Sequence, residues 1–150
     1  MVKLEFTLEG DTEGYITFEC PFCSNQFKLN ASELKDDSRP HINLYCPYCG
    51  LDEEMCAFYT DEVKEQALLI AKNYAIEEIN KSFGKMAKSF GNNKTIKMTY
   101  KPLKKVFIPE LGEVDGTEVT VECTHCKAHH KVISHSSYSV LYCSYCGGIY

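Results

Sequence analysis

Cysteine dominates the chemistry open to this 150-residue chain: there are nine, and eight fall into four Cys-x-x-Cys pairs. The pairs are Cys20 with Cys23, Cys46 with Cys49, Cys123 with Cys126, and Cys143 with Cys146. A turn of this kind, a knuckle, presents two thiolates from one short loop. Two knuckles supply the four soft donors of a tetrahedral zinc site, with Zn–S near about 2.3 Å. Twenty-two residues separate Cys23 from Cys46 and sixteen separate Cys126 from Cys143, gaps that a short hairpin fills. The eight thiols therefore read as ligands of two structural Zn²⁺ ions. The competing arrangement is a metal shared by one knuckle from each half. Gly50 and Gly147 follow the second cysteine of their pairs, where a knuckle commonly needs positive φ. Ser24 and Lys127 hold that place in the other two.

Four thiolates close a zinc site, whereas a catalytic zinc keeps a position open for water, so no enzymatic activity is expected. Three other uses of these residues compete. His125, His129, His130 and His135 crowd the last two pairs and form an alternative ligand set, or else are exposed histidines on a small β unit. Cys-x-x-Cys can also carry redox chemistry. A disulfide framework would require a secreted chain. The N-terminal Met1-Val2-Lys3-Leu4-Glu5 has no apolar core of signal-peptide length, and no stretch reaches the roughly 18 to 20 apolar residues of a membrane span. The expectation is a cytoplasmic protein with reduced thiols. Cys56 stands alone and reads as a small packed side chain beside a helix.

An internal repeat positions the four pairs. Phe18-Glu19-Cys20-Pro21-Phe22-Cys23 corresponds to Val121-Glu122-Cys123-Thr124-His125-Cys126 at an offset of 103 residues. Leu44-Tyr45-Cys46-Pro47-Tyr48-Cys49-Gly50 corresponds to Leu141-Tyr142-Cys143-Ser144-Tyr145-Cys146-Gly147 at an offset of 97. Because each copy holds a complete set of four cysteines, the repeat favours two local sites. Alternating or β-branched segments predict strands at residues 2–9, 15–18, 42–45, 119–121 and 139–142, with turns at 10–11 and 112–116.

Between the copies the apolar period changes to that of a helix. Leu69, Ile76, Ile79, Phe83, Met86 and Phe90 recur at helical steps, beside a stripe of Val63, Ala67, Ile70 and Tyr74. Thr60 is the expected N-cap, Asp61 and Glu62 suit the first turn, and residues 91–93 suit a stop. Unbroken, this helix is about 45 Å long; Gly84 is where it would break. The apolar stripe reads as core. Residues 95–108 look extended. The expected fold is α+β: two Cys₄ zinc ribbons, small antiparallel β units, joined by a long amphipathic helix and a short β segment. The expected organisation is an N-terminal ribbon at 1–59, a linking helix at 60–93, a Lys-rich extended segment at 94–117 and a C-terminal ribbon at 118–150.

Charge is unevenly spread. The net charge of −5 divides into −7 for residues 1–60, +5 for 61–105 and −3 for 106–150. From Ile79 to Pro109 there is no Asp or Glu, against Lys81, Lys85, Lys88, Lys94, Lys97, Lys101, Lys104 and Lys105. This segment suits phosphates or an acidic partner surface, or is simply a solvated face with a lysine-protected edge. It contains no Arg, so bidentate phosphate or guanine contacts are not evident. A basic amphipathic helix can also serve at a membrane surface or in a calmodulin-type complex.

Both halves, over roughly 15–50 and 118–150, resemble zinc ribbons of the type found in the transcription factor TFIIB. Cys46-Pro47-Tyr48-Cys49-Gly50 also resembles the second knuckle of rubredoxin. The ribbon resemblance implies fold and structural zinc, and a role as an adaptor to protein or nucleic acid. The rubredoxin resemblance implies iron and electron transfer. The favoured function is a non-enzymatic adaptor that presents ribbon surfaces to a larger protein, within a nucleic-acid-handling complex. Direct nucleic-acid binding through the lysines is the alternative, and a rubredoxin-like electron carrier is a third.

Overall fold

Three of the four cysteine pairs sit at the turn of an antiparallel hairpin, and the fourth, Cys143 with Cys146, is closed by a single bridge. A computed structural model describes residues 8–36, 43–91, 94–111 and 116–150. Of the expected elements, residues 2–7, Ile42, Asn92, Asn93 and 112–115 lie outside the described set. The chain divides into two compact units, one built on residues 64–110 and one on 7–63 with 111–150.

The second of these units contains both cysteine-rich regions. Strands β1 (Tyr15–Glu19) and β2 (Gln26–Asn30) form an antiparallel hairpin, followed by the short helix α1 (Ala31–Leu34). Strands β3 (Asn43–Tyr45) and β4 (Asp52–Glu54) form a second hairpin, which leads into a 3₁₀ turn at Met55–Phe58. In the second copy β5 (Glu118–Glu122) pairs with β6 (His129–Ile133), and a 3₁₀ turn follows at Ser134–Tyr138. Residues 139–142 were expected to form a strand; they make only a single bridge, Tyr142 to Ile149.

The two copies share one sheet, in the order β1-β2-β6-β5. At its centre Lys28 lies opposite Lys131, its own counterpart in the repeat, and Leu29 lies opposite His130. An antiparallel pair that matches a residue with its own counterpart has a local two-fold axis through it, the geometry of an isologous dimer interface. Beneath the sheet Phe18, Phe27, Leu29, Leu44 and Phe58 are buried in one cluster with Cys20, Cys46, Cys123 and Cys143. One apolar core thus backs all four cysteine pairs.

A buried ion-pair group marks the axis. Lys28 Nζ is 3.3 Å from Asp11 Oδ2, and Lys131 Nζ is 3.5 Å from the same oxygen. Asp11 Oδ1 accepts the backbone N–H of Glu13 and Tyr15. Burial raises the Asp11 carboxyl, but these two N–H groups and the two lysines outweigh it and hold it below the usual carboxylate range. Each lysine also has a second carboxylate within reach, Glu118 3.8 Å from Lys28 and Glu13 2.5 Å from Lys131, so the group is a network and not an isolated pair.

In the other unit the helix α2 (Asp61–Phe90) runs unbroken through Gly84, and the Thr60 hydroxyl accepts the N–H of Val63 at 3.4 Å as a cap. Its extended neighbour, residues 94–111, is held by a ladder of side-chain amides. Asn80 donates to the Leu103 carbonyl and accepts the Leu103 N–H, and Asn73 does the same with Val106. Gln66 donates to the Pro109 carbonyl. Seven helical residues rise about 10.5 Å, and three residues at the polyproline rise span about 9.3 Å. The rungs therefore repeat every seven residues on one side and every three on the other, antiparallel. These amides give the segment the hydrogen bonds that a neighbouring strand would otherwise provide.

The apolar stripe is less enclosed than expected. Ile76 is buried at 9% exposure, while Ile79, Phe83, Met86 and Phe90 stay between 37% and 45% exposed. Phe83 stacks on Tyr100, with ring centroids 5.5 Å apart. The stripe was read as core; among the described residues one extended segment with a single stacked aromatic lies against it, too thin to close it.

Candidate metal centres

All four knuckles have the same backbone. The N–H of the residue after the second cysteine returns to the carbonyl of the first: Ser24 to Cys20, Gly50 to Cys46, Lys127 to Cys123 and Gly147 to Cys143, at 2.9 to 3.0 Å. Closing this turn needs positive φ, with values of 59° at Ser24, 62° at Lys127, 73° at Gly50 and 68° at Gly147. The two non-glycine residues thus take the conformation that the glycines take freely. In each knuckle a backbone N–H also points at the first sulfur, 3.4 Å away: Phe22 to Cys20, Tyr48 to Cys46, His125 to Cys123 and Tyr145 to Cys143. Such N–H groups favour the thiolate form.

The sulfurs gather in two local sets, Cys20, Cys23, Cys46 and Cys49, and Cys123, Cys126, Cys143 and Cys146, each with all four Sγ atoms within 4.8 Å of one another. The shared-metal arrangement is not the one adopted. Within the first set Cys20–Cys49 and Cys23–Cys46 are each 3.7 Å apart; within the second, Cys123–Cys146 is 3.8 Å and Cys126–Cys143 3.5 Å. A tetrahedron with 2.3 Å arms has edges of about 3.8 Å. Donor type, number and spacing therefore fit a four-coordinate ion in each set.

Burial pushes the Cys46 and Cys143 thiols well up. At Cys123 burial also raises the thiol, but the N–H groups of Cys126 and His125 and the neighbouring Cys143 outweigh it, leaving it at about 7. A metal entering either set must displace protons, so its affinity falls in acid.

The second knuckles of the two sets lock together about the same axis. Tyr45 N–H donates to the Ser144 carbonyl at 2.9 Å, and Tyr142 N–H donates to the Pro47 carbonyl at 3.0 Å; these are counterpart bonds. A Cβ on Gly50 would lie 2.9 Å from the Tyr142 ring, and one on Gly147 would lie 2.9 Å from the Tyr45 ring. Glycine at these positions thus serves both the positive φ and the close approach of a tyrosine from the other copy. Tyr48 adds a further tie: its hydroxyl donates to the Gln26 carbonyl and accepts the Ile133 N–H.

Neither sulfur set includes a histidine. His129 Nδ1 lies 2.9 Å from Glu33 Oε1. His130 is fully buried, its Nε2 bonded to the Tyr150 hydroxyl, while its Nδ1 has no partner among the described residues. Burial lowers its pKa from 6.5 to about 4, so it is held neutral. Cys56 is exposed, not packed; it follows β4, with Sγ 3.7 Å from Glu54 Oε2.

The eight lysines are not equivalent. Lys81 pairs with Glu78 at 2.8 Å and Lys105 pairs with Glu77. Lys85, Lys88, Lys94, Lys97, Lys101 and Lys104 are exposed and make no ion pair among the described residues. Sequence reasoning missed the Gln66, Asn73 and Asn80 ladder, although seven-residue spacing of amides on a helix was its visible trace. It also missed the Asp11 group, whose trace was a lysine repeated at the 103-residue offset.

Fold and site together define a mixed α+β protein with small antiparallel sheets, one long helix and two four-cysteine clusters that can hold metal. No family model, curated protein or solved structure matches the chain.

Proposed function

We propose that each cluster holds one structural Zn²⁺ and that the chain is a non-enzymatic adaptor. It presents its two-ribbon unit to a larger protein within a nucleic-acid-handling complex. The observation that carries this reading is the pair of four-thiol sets at tetrahedral spacing, backed by one core. Metal in such sets supplies folding energy that small β units cannot obtain from a core alone. The adaptor role is supported by large apolar side chains left on the surface of the same unit: Phe22 and Leu51 at the first set, and Tyr138, Val140 and Ile149 near the second. The likeness to TFIIB-type ribbons points the same way. Elemental analysis of the purified chain should give two zinc and little iron. A red protein would instead support the rubredoxin-like electron carrier.

The alternative is direct nucleic-acid binding, favoured by the six exposed lysines that make no ion pair among the described residues. Replacing Lys94, Lys97, Lys101, Lys104 and Lys105 by Gln removes five charges outside both cysteine sets. Under the adaptor reading the parent chain binds oligonucleotides only in the non-specific range, about 10⁻⁴ to 10⁻⁶ M at physiological salt. Tight, steeply salt-dependent binding that the five substitutions abolish would replace the adaptor reading with the nucleic-acid one.

A further inference from the structure

The two copies of the repeat are not covered alike. Ile16 and Phe18 of β1 are 9% and 1% exposed. Their counterparts at the 103-residue offset are Val119 and Val121 of β5; Val119 is 39% exposed and Val121 is partly exposed. The difference has a local source. In the first copy Phe58 closes edge-on against Phe27, and Tyr59 stacks on Phe18 with centroids 5.9 Å apart. Tyr59 also makes an antiparallel backbone bridge to Phe18, along the outer side of β1. In the second copy Tyr150 lies edge-on to His130, the counterpart of Phe27, and so stands in for Phe58. No described residue stands in for Tyr59: β5 is an outer strand, and no described strand or bridge lies along its free side.

An open edge of this kind is a template for strand addition. Side chains alternate between faces, so Val119 and Val121 share the face on which Ile16 and Phe18 meet the core. An added strand needs apolar groups there, with an aromatic over Val121 as Tyr59 provides over Phe18. Glu118 and Glu122 stand at the two ends of the other face, with Thr120 between them. A second copy of this chain is a poor occupant. Antiparallel pairing of β5 with itself about Thr120 sets Glu118 against Glu122 at both ends; each has one lysine of its own chain within 4 Å, Lys28 and Lys127, and the like charges directly opposite still disfavour the pair. We propose that the outer edge of β5 takes an extended segment of a protein partner in antiparallel pairing, with an aromatic side chain over Val121 and a basic residue opposite Glu122. The inference rests on the adaptor reading and gives its partner a chemistry.

The test titrates the full-length chain, as purified with its metal, with a synthetic peptide carrying Lys-Tyr-Thr-Ile-Lys between Gly-Ser flanks, and follows backbone amides by NMR. Saturable shifts and slowed amide exchange should centre on residues 118–122. Val121→Lys should weaken binding at least tenfold, as should replacing both peptide lysines by glutamate. Metal content and melting temperature of the variant are measured alongside. The surface change Glu122→Lys gives a second route, since it should shift preference toward the glutamate peptide. Absence of binding, shifts centred elsewhere, or binding indifferent to both substitutions would overturn the proposal. Concentration-dependent dimerisation through β5 would overturn it in favour of a second copy. Capture of a partner with parent and Val121→Lys baits separates the two layers. A partner retained equally by both baits removes the edge site and leaves the adaptor. No partner with either bait, together with tight salt-sensitive oligonucleotide binding, removes the adaptor itself.

Discussion

At the four positions that close the knuckles the backbone adopts positive φ whether the residue is glycine or not. The glycines at 50 and 147 carry a second demand, because each faces a tyrosine of the other copy at a distance that leaves no room for a methyl group. Gly50→Ala should therefore combine left-handed strain with overpacking and cost about 2 to 4 kcal/mol. Lys127→Gly should change stability by less than about 1 kcal/mol, because relief of strain is offset by added freedom in the unfolded chain. Thermal melts of the two variants check this ordering. His130 offers a pH test. Its folded pKa, about 4, lies below the ordinary 6.5, so between these values the unfolded chain binds the extra proton. Its contribution is complete above about pH 6.5 and is lost as pH falls toward 4, by about 3 kcal/mol at most. His130→Phe, which installs the residue found at the counterpart position Phe27, should flatten the acid limb of stability against pH in that window. A variant with the parent's slope would show that the imidazole is not the group responsible.

Among the elements, the extended segment beside α2 owes its place to side-chain amides. Each of Asn73 and Asn80 makes a donor and an acceptor bond to one backbone residue, 2.7 to 2.9 Å long. Asn73→Ala should cost about 1 to 3 kcal/mol and speed amide exchange at Val106, because it removes two bonds at a partly buried site. Asn80→Ala should do the same at Leu103. Lys85→Asp, an exposed residue without an ion pair among the described residues, should leave both protected. Phe83 is 42% exposed and stacked on Tyr100, so Phe83→Asp should cost about 1 to 2 kcal/mol, well short of a buried carboxylate. A loss of several kcal/mol in denaturant melts would mean that the ring is more enclosed than this packing shows.

For the whole molecule, the consequence of one sheet and one core under both cysteine sets is coupling. Cys46→Ser removes a ligand from the first set, and Cys46 packs in the same cluster as Cys123 and Cys143. It should abolish one metal equivalent and also weaken retention of the second, seen as faster loss to a chelator. Unchanged retention of the second metal would show that the halves bind independently. Acid should release metal from both sets, because the buried thiols of Cys46 and Cys143 hold their protons strongly. A metal-binding titration should show affinity falling steadily as pH drops.

The sequence by itself determined the eight thiols, their grouping by four and the helix from Asp61 to Phe90, because spacing and periodicity are local properties. Cys-x-x-Cys fixes two donors within one turn, and the 3.6-residue period marks a helix without reference to what covers it. The strands expected at 15–18 and 119–121 were legible for the same reason, and the structure extends them to Tyr15–Glu19 and Glu118–Glu122. Tertiary structure alone decided that the copies pair with each other. The bonds concerned, Tyr45 to Ser144 and Tyr142 to Pro47, join backbones about a hundred residues apart, and no side-chain pattern encodes them. It also decided that α2 keeps part of its apolar stripe uncovered and that Cys56 is exposed. Periodicity says which face of an element is apolar, while burial depends on what arrives to cover it. The same reason accounts for β1 and β5, equivalent in the repeat: Tyr59 bridges to the first, and no described strand or bridge lies along the free side of the second.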